Sequence, residues 1–253
     1  VPNTETPYYA VVDYSGAGVS RMHLEDKDGN RLLTDFEDTD GYFYDITVFG
    51  DWVGLMWNDN ANVALYQPAS GKRIDGYMFD GIDEKNGVAW AWAYDGEDAL
   101  VVYADGTTGK TFTPKTVWSE GRAIVWANTN TLAAIDKNGN TLWQYKISVN
   151  QDTLVYGLGD RVVIEQGNTN ALLANGKLGA AQTYTITPNK WSANYIGGDN
   201  GYYTLYDQNG KALTGSYANA LDEVGQDIYC RWVSDTQYEY FHCAAGGSPT
   251  TLF

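Results

Sequence analysis

The chain is poor in the residues that carry most metal and nucleophilic chemistry. Two histidines, His23 and His242, and two cysteines, Cys230 and Cys243, stand in 253 residues, too few for a three-histidine zinc centre. A Cys2His2 set is disfavoured as well, because His242 and Cys243 are neighbours on one strand and point to opposite faces. No nucleophile-elbow sequence places a serine beside a base, so no catalytic residue is assigned. The glycine-rich segments 157–159 and 197–201 lack the spacing and following helix of a phosphate loop and read as turns. Basic residues number 16 against 32 acidic ones, a net charge of −16. That balance opposes nucleic-acid binding, in which Lys and Arg must displace counterions, and adsorption to an anionic membrane surface. The longest apolar run, around 87–94, falls far short of the ~18 residues of a membrane-spanning helix, so no membrane insertion is expected. Six scattered prolines mark no linker, so residues 1–253 read as a single domain. No stretch sustains a helical period with caps. The best helical candidate, SYANALDEV at 216–224, is expected to form one turn at most.

What is present is repetition. The segments RMHLEDKDGNRLL (21–33), VALYQPASGKRI (63–74), LVVYADGTTGKTF (100–112), LAAIDKNGNTLW (132–143), LLANGKLGA (172–180) and YTLYDQNGKAL (203–213) share one plan. Each is a short β-rich run, a polar turn ending in glycine, and usually a second run. The Asp/Asn-x-x-Gly pattern is hairpin chemistry, because glycine adopts positive φ without steric cost. The marker glycines are Gly29, Gly71, Gly109, Gly139, Gly176 and Gly210, spaced 42, 38, 30, 37 and 34 apart, with Gly246 or Gly247 closing a seventh, degenerate unit. Further strand-like runs lie upstream of most hairpins, as in WVGLMWNDN (52–60), GVAWAWAYD (87–95) and RAIVWANTN (122–130). Up to four short strands per unit of about 36 residues is the arithmetic of a propeller blade. The predicted fold is therefore all-β: a β-propeller of seven short blades, each of up to four antiparallel strands. A closed ring of such units would bring the two termini together.

Two segments carry a family resemblance. LAAIDKNGNTLWQYKI resembles a blade motif of the quinoprotein-type propellers, and GYYTLYDQNGKALTGSYANALDEVGQDIY resembles the Trp-Gly repeat of many bacterial surface proteins. The Trp-Gly dipeptide itself is replaced by Gly201-Tyr202-Tyr203. The resemblance implies a scaffold or binding role. The ligand set of a quinone cofactor does not map onto the chain, and no cofactor is expected.

Trp57, Trp92, Trp126 and Trp232 recur 13 to 17 residues before a marker glycine, with Leu55, Trp90, Ile124 and Cys230 two residues earlier on the same strand face. This face reads as a ring of packing residues between units; the alternative is a set of stacking platforms at a rim. Tyr42, Tyr77, Trp118, Trp191 and Tyr217 are candidate ligand-binding aromatics. If 235–238 is a hairpin loop, residues whose numbers sum to 473 face each other, and Cys230 and Cys243 are such a pair. They would then lie near disulfide distance, implying an oxidising compartment; the alternative is two buried free thiols. The turns at 26–29 and 38–41 place glycine fourth where an EF-hand loop needs it sixth, so metal binding is not assigned. Paired carboxylates for glycoside hydrolysis stay open among 32 acids.

These readings converge on a secreted or cell-surface module, expected to be monomeric, that binds a protein or carbohydrate ligand through one propeller face. The chain begins at Val1 rather than Met, so removal of a leader is expected. The alternative is a carbohydrate-active enzyme with a carboxylate pair at the central funnel.

Overall fold

A computed structural model describes residues 8–14, 20–38, 43–57, 62–190, 192–234 and 236–252. The chain divides into two compact units, Val1–Phe112 and Thr113–Phe253. In the first unit, β1 (Tyr8–Tyr14), β2 (Ser20–Asp26) and β3 (Arg31–Asp38) form one sheet. β4 (Phe43–Phe49), β5 (Trp52–Trp57), β6 (Asn62–Gln67) and β7 (Lys72–Asp75) form a second. β8 (Tyr77–Asp83), β9 (Val88–Ala93) and β10 (Ala99–Tyr103) follow, and the first residues of β11 (Thr108–Pro114) pair with β10.

In the second unit, Thr113 and Pro114 pair with β12 (Arg122–Asn128), followed by β13 (Thr131–Asp136) and β14 (Thr141–Lys146). Three four-stranded sheets come next. They are β15 (Thr153–Leu158), β16 (Arg161–Gln166), β17 (Thr169–Ala174) and β18 (Lys177–Leu178); β19 (Thr185–Pro188), β20 (Tyr195–Asp199), β21 (Tyr202–Tyr206) and β22 (Tyr217–Ala218); and β23 (Leu221–Gly225), β24 (Ile228–Ser234), β25 (Gln237–His242) and β26 (Thr250–Thr251). Every named pairing is antiparallel between strands consecutive in sequence. Among the described residues there is no α-helix, one 3-10 turn at Glu84–Asn86, and no helix long and apolar enough to cross a membrane. The segment 216–224 is two strand pieces, not a helical turn: along β23 Leu221 is buried while Asp222 and Val224 are exposed, a period of two.

The hairpin turns are built as their sequences dictate. In Asp26–Asn30, Asp136–Asn140 and Asp207–Lys211 the leading aspartate carboxylate accepts the backbone N–H groups two and four residues on, at 2.8–2.9 Å. The glycine N–H donates back to the aspartate carbonyl at 2.9–3.1 Å, and φ at Gly29, Gly139 and Gly210 is +80°, +75° and +84°. Local bonds of this kind suit Asp and Asn to turns. The third repeat uses a different glycine from the one its sequence suggests. Gly106 has φ +82° and donates to the Tyr103 carbonyl, whereas Gly109 lies inside β11. The Gly29-to-Gly139 intervals become 42, 35 and 33, a more regular repeat.

The turn carboxylates give the protein an acid limit. Hydrogen bonds from Asn30 hold Asp26, and those from Thr107 hold Asp105, below the ordinary 3.8. At Asp136 burial pushes upward, but the bonds from Asn140 and Asn138 outweigh it and the net shift is also down. A carboxylate with a lowered folded-state pKa stabilises the fold above its unfolded value and loses that contribution as pH falls through the folded value. Melting temperature is therefore expected to fall as pH drops below about 4. Asp136→Asn, whose amide oxygen still accepts, should make part of that fall disappear; a pH–melting curve identical to wild type in this variant would refute the assignment.

Buried positions follow the central strands. Leu55, Trp90, Ile124 and Cys230 are 0–9% exposed, whereas Trp92, Trp126 and Trp232, two residues on, are half-buried. The packing role thus belongs fully to the earlier member of each pair, because burial declines where the strand runs out to its hairpin. The Trp57 side chain lies outside the described residues.

The predicted disulfide is absent, and both cysteines are free and buried. Pairing across β24 and β25 joins Ile228 to His242, Cys230 to Tyr240 and Ser234 to Gln237. The hairpin closes over two residues instead of four, and the register is displaced by three. An odd displacement turns one residue to the other face. Cys243 consequently packs with Tyr229 and Phe241 in the core, while Cys230 faces the other way. Burial, aided by the charge of Asp227, pushes the Cys243 thiol up. Both thiols are expected to resist alkylation in the folded protein, to label fully in denaturant without reductant, and to leave the melting temperature unchanged on adding reductant. A mass two hydrogens short of the dithiol form would contradict this pairing.

Candidate functional site

A cleft lies in the second unit, between the sheets β19–β22 and β23–β26. It encloses about 400 Å³ and is lined by Thr187 and Pro188 of β19, Tyr203 of β21, and Leu221 and Glu223 of β23, with Asn189 at one end. Lys190 and Asp222 stand at its rim, both exposed, and Ile196 contributes to its buried floor.

Two adjacent glycines in β20 set the aromatic wall. A β-carbon on Gly198 would meet the Tyr203 ring at 3.1 Å. On the other face of the strand, one on Gly197 would meet Tyr206 at 2.6 Å and Tyr184 at 2.7 Å. Gly197 thus accommodates a stack in which Tyr206 lies nearly parallel to Tyr184 and Tyr195, at centroid distances of 4.9 and 5.3 Å. The Tyr184 and Tyr195 hydroxyls are 3.1 Å apart, and burial raises the pKa of both phenols. Gly197 and Gly198 lie in a strand, where the sequence suggests a turn, while Gly201 of the same segment does occupy one; in the segment 157–159, Gly157 belongs to β15 and Gly159 to a turn.

Behind the cleft wall is a buried polar network. The β19–β20 connection carries Asn189, Ser192 and Asn194, which are 3%, 7% and 1% exposed. Buried groups of this kind must find partners, and the Tyr229 hydroxyl supplies a shared one. It accepts from Asn189 Nδ2 at 3.0 Å and from Asn194 Nδ2 at 3.4 Å, and lies 2.6 Å from Ser192 Oγ. Asn194 Nδ2 also donates to the Cys243 carbonyl at 3.0 Å. Burial raises the Tyr229 pKa against the pull of these bonds, keeping the phenol neutral.

Arg161 reaches this connection from β16 of the neighbouring sheet. Its Nη2 donates to the Asn189 carbonyl at 2.5 Å and its Nη1 to the Ser192 carbonyl. Burial lowers its pKa, while Asp160, Glu223 and Tyr229 push the other way. The guanidinium fork spans two carbonyls three residues apart and fixes the backbone that presents Asn189 and Lys190.

Of the five aromatics expected at a ligand site, Tyr77, Trp118 and Tyr217 are among the described residues, and none of these three lines the cleft. Tyr77, in the first unit, is half-buried against the cluster of Trp52, Ala89 and Val102. Trp118 is 3% exposed, so its ring offers no open face. Tyr217 lies under the Arg231 guanidinium at 4.4 Å and packs against Phe241. Tyr42 and Trp191 lie outside the described residues. Tyr203, Asn189 and Glu223 were not singled out by the sequence reading. For Asn189 the available signal was the segment 189–194, four polar residues in six with no turn glycine, between two strands. The turn carboxylates Asp26 and Asp136 accept backbone amides, and no cluster of three or more His, Cys, Asp or Glu side chains suited to a metal occurs among the described residues.

No protein-family model matches the chain, and no curated protein matches it. Among solved structures the chain is similar to Hsv2 of Kluyveromyces lactis with loop 6CD replaced by a Gly-Ser linker: TM-score 0.50, 8% identity, 92% of this chain and 93% of that one. It also matches BamB from Moraxella catarrhalis (TM-score 0.43, 14% identity, 96% and 78% covered) and apo AztD from Citrobacter koseri (TM-score 0.40, 11% identity, 97% and 80% covered). Hsv2 is a β-propeller. With the antiparallel meander sheets described above, this likeness establishes the fold of the chain as a β-propeller.

Proposed function

We propose that the chain is a secreted or cell-surface binding module that seats a ligand, protein or glycan, in the cleft between the sheets β19–β22 and β23–β26. The observation that carries this reading is the combination of an open cleft of about 400 Å³ with a wall held by the Arg161 and Tyr229 network. A preorganised wall lowers the entropic cost of binding, and such a volume is that of a small-ligand site. The sequence resemblance to surface-protein repeats agrees with it. The enzymatic alternative is less well supported by the cleft. Its two lining carboxylates, Asp222 and Glu223, are consecutive on β23 and so point to opposite faces, whereas glycoside hydrolysis needs a facing pair.

Thr187 is exposed on the cleft wall, so Thr187→Trp should fill the cleft without disturbing the core. Ligands recovered from combined glycan and secreted-protein arrays should lose at least about tenfold in affinity for this variant, about 1.4 kcal/mol, with the melting temperature kept. Unchanged affinity for every recovered ligand would exclude the cleft as the site.

A further inference from the structure

We infer that the ligand of this cleft is the end of an uncharged carbohydrate chain, an inference that rests on the cleft being the binding site. Three features of the lining point the same way. The first is local charge. The whole chain carries −16, and the cleft lining holds one cation, Lys190, beside two carboxylates, Asp222 and Glu223. With one cation against two carboxylates, the lining offers no positive excess to a phosphate, sulfate or carboxylate group.

The second feature is two-sidedness. Pro188, Ile196, Leu221 and the half-buried Tyr203 ring form an apolar side, while Thr187 and Glu223 present hydroxyl and carboxylate groups. A pyranose has the matching anatomy: an axial C–H face that packs on an aromatic ring, and a belt of hydroxyls that both donate and accept. The carboxylate of Glu223 is acceptor-only and the exposed Thr187 hydroxyl both donates and accepts, a mixture that suits hydroxyls better than a single charged head group. Gly198 is part of the same construction, since its missing side chain is what lets Tyr203 lie against β20.

The third feature is size. About 400 Å³ sits at the low end of the ~300–1,000 Å³ typical of small-molecule sites. It accommodates one or two sugar rings. A protein partner, by contrast, usually covers about 800 Å² of surface on each side, far more than this cleft provides.

The test is an array that carries neutral, sialylated and sulfated oligosaccharides together with extended peptides, probed with the wild-type chain, Tyr203→Ala, Glu223→Gln and Thr187→Trp. Neutral glycans should be retained, with little change between about 0.05 and 0.5 M salt. Tyr203→Ala and Glu223→Gln should each lose about tenfold or more in affinity. Glu223→Gln keeps the side-chain shape but removes a charge that favours the buried Arg161 guanidinium, so its affinity is compared at a temperature at which its melting curve shows the variant fully folded. Retention of charged glycans only, a steep salt dependence, or no retained glycan would overturn the inference. So would neutral-glycan binding that ignores Tyr203→Ala and Glu223→Gln. Peptides retained by wild type and lost in Thr187→Trp, with no glycan bound, would overturn it while leaving the cleft as the binding site.

Discussion

Replacing Arg161 with alanine is expected to lower stability by roughly 2–6 kcal/mol, since two buried carbonyls at ~1–3 kcal/mol each lose their donor. The change is a single residue on β16, yet its consequence falls on the next sheet. Without the guanidinium, the Asn189 and Ser192 carbonyls face a cavity in place of the two N–H groups that now meet them. At ~2–4 °C per kcal/mol for a chain of this size, a thermal melt should shift down by roughly 4–24 °C. Arg161→Lys tests the geometry separately, because an ammonium is a point donor and cannot reproduce the planar fork. The lysine variant should recover only part of the loss. Full recovery would mean that charge alone, and not the two-carbonyl span, is what matters.

Trp90→Ala is expected to cost about 3–5 kcal/mol, the range of large aromatic deletions from a core. Trp90 is fully buried on β9 and packs edge-to-face on Phe112 at 6.2 Å. Trp92→Ala, two residues along the same strand face, should cost clearly less, because that ring is only half-buried. Chemical denaturation of both variants checks the pair. Equal losses, or a larger one at Trp92, would contradict the burial gradient along the strand.

How much of this was legible in the sequence follows from the range of the interactions concerned. The turns were legible because their determinants lie within five residues. Asp136-Lys137-Asn138-Gly139-Asn140 contains both the carboxylate acceptor and the positive-φ glycine that close it. Where two glycines competed, as at Gly106 and Gly109, local pattern chose the wrong one; the choice depends on the Tyr103–Thr107 backbone bond, which the pattern does not encode. The last hairpin failed for a related reason. A turn two residues shorter than expected displaced the register by three, and with it the orientation of Cys243 relative to Cys230. The cleft was not legible at all. Arg161, Asn189, Tyr203, Glu223 and Tyr229 come from five strands or connections spread over nearly 70 residues, and only the stacking of neighbouring sheets makes them one site. The β-propeller repeat predicts that stacking in general without saying which side chains meet.

The fork of Arg161 also ties two regions into one opening unit. Its nitrogens hold the 189–194 connection from a strand of a different sheet, so that connection cannot swing away while β16 stays in place unless both charged bonds are broken. In exchange terms, amides of the connection and of β16 should share much of their opening free energy. A molecule seated in the cleft would then slow exchange along β16, in a strand that contributes no residue to the cleft lining.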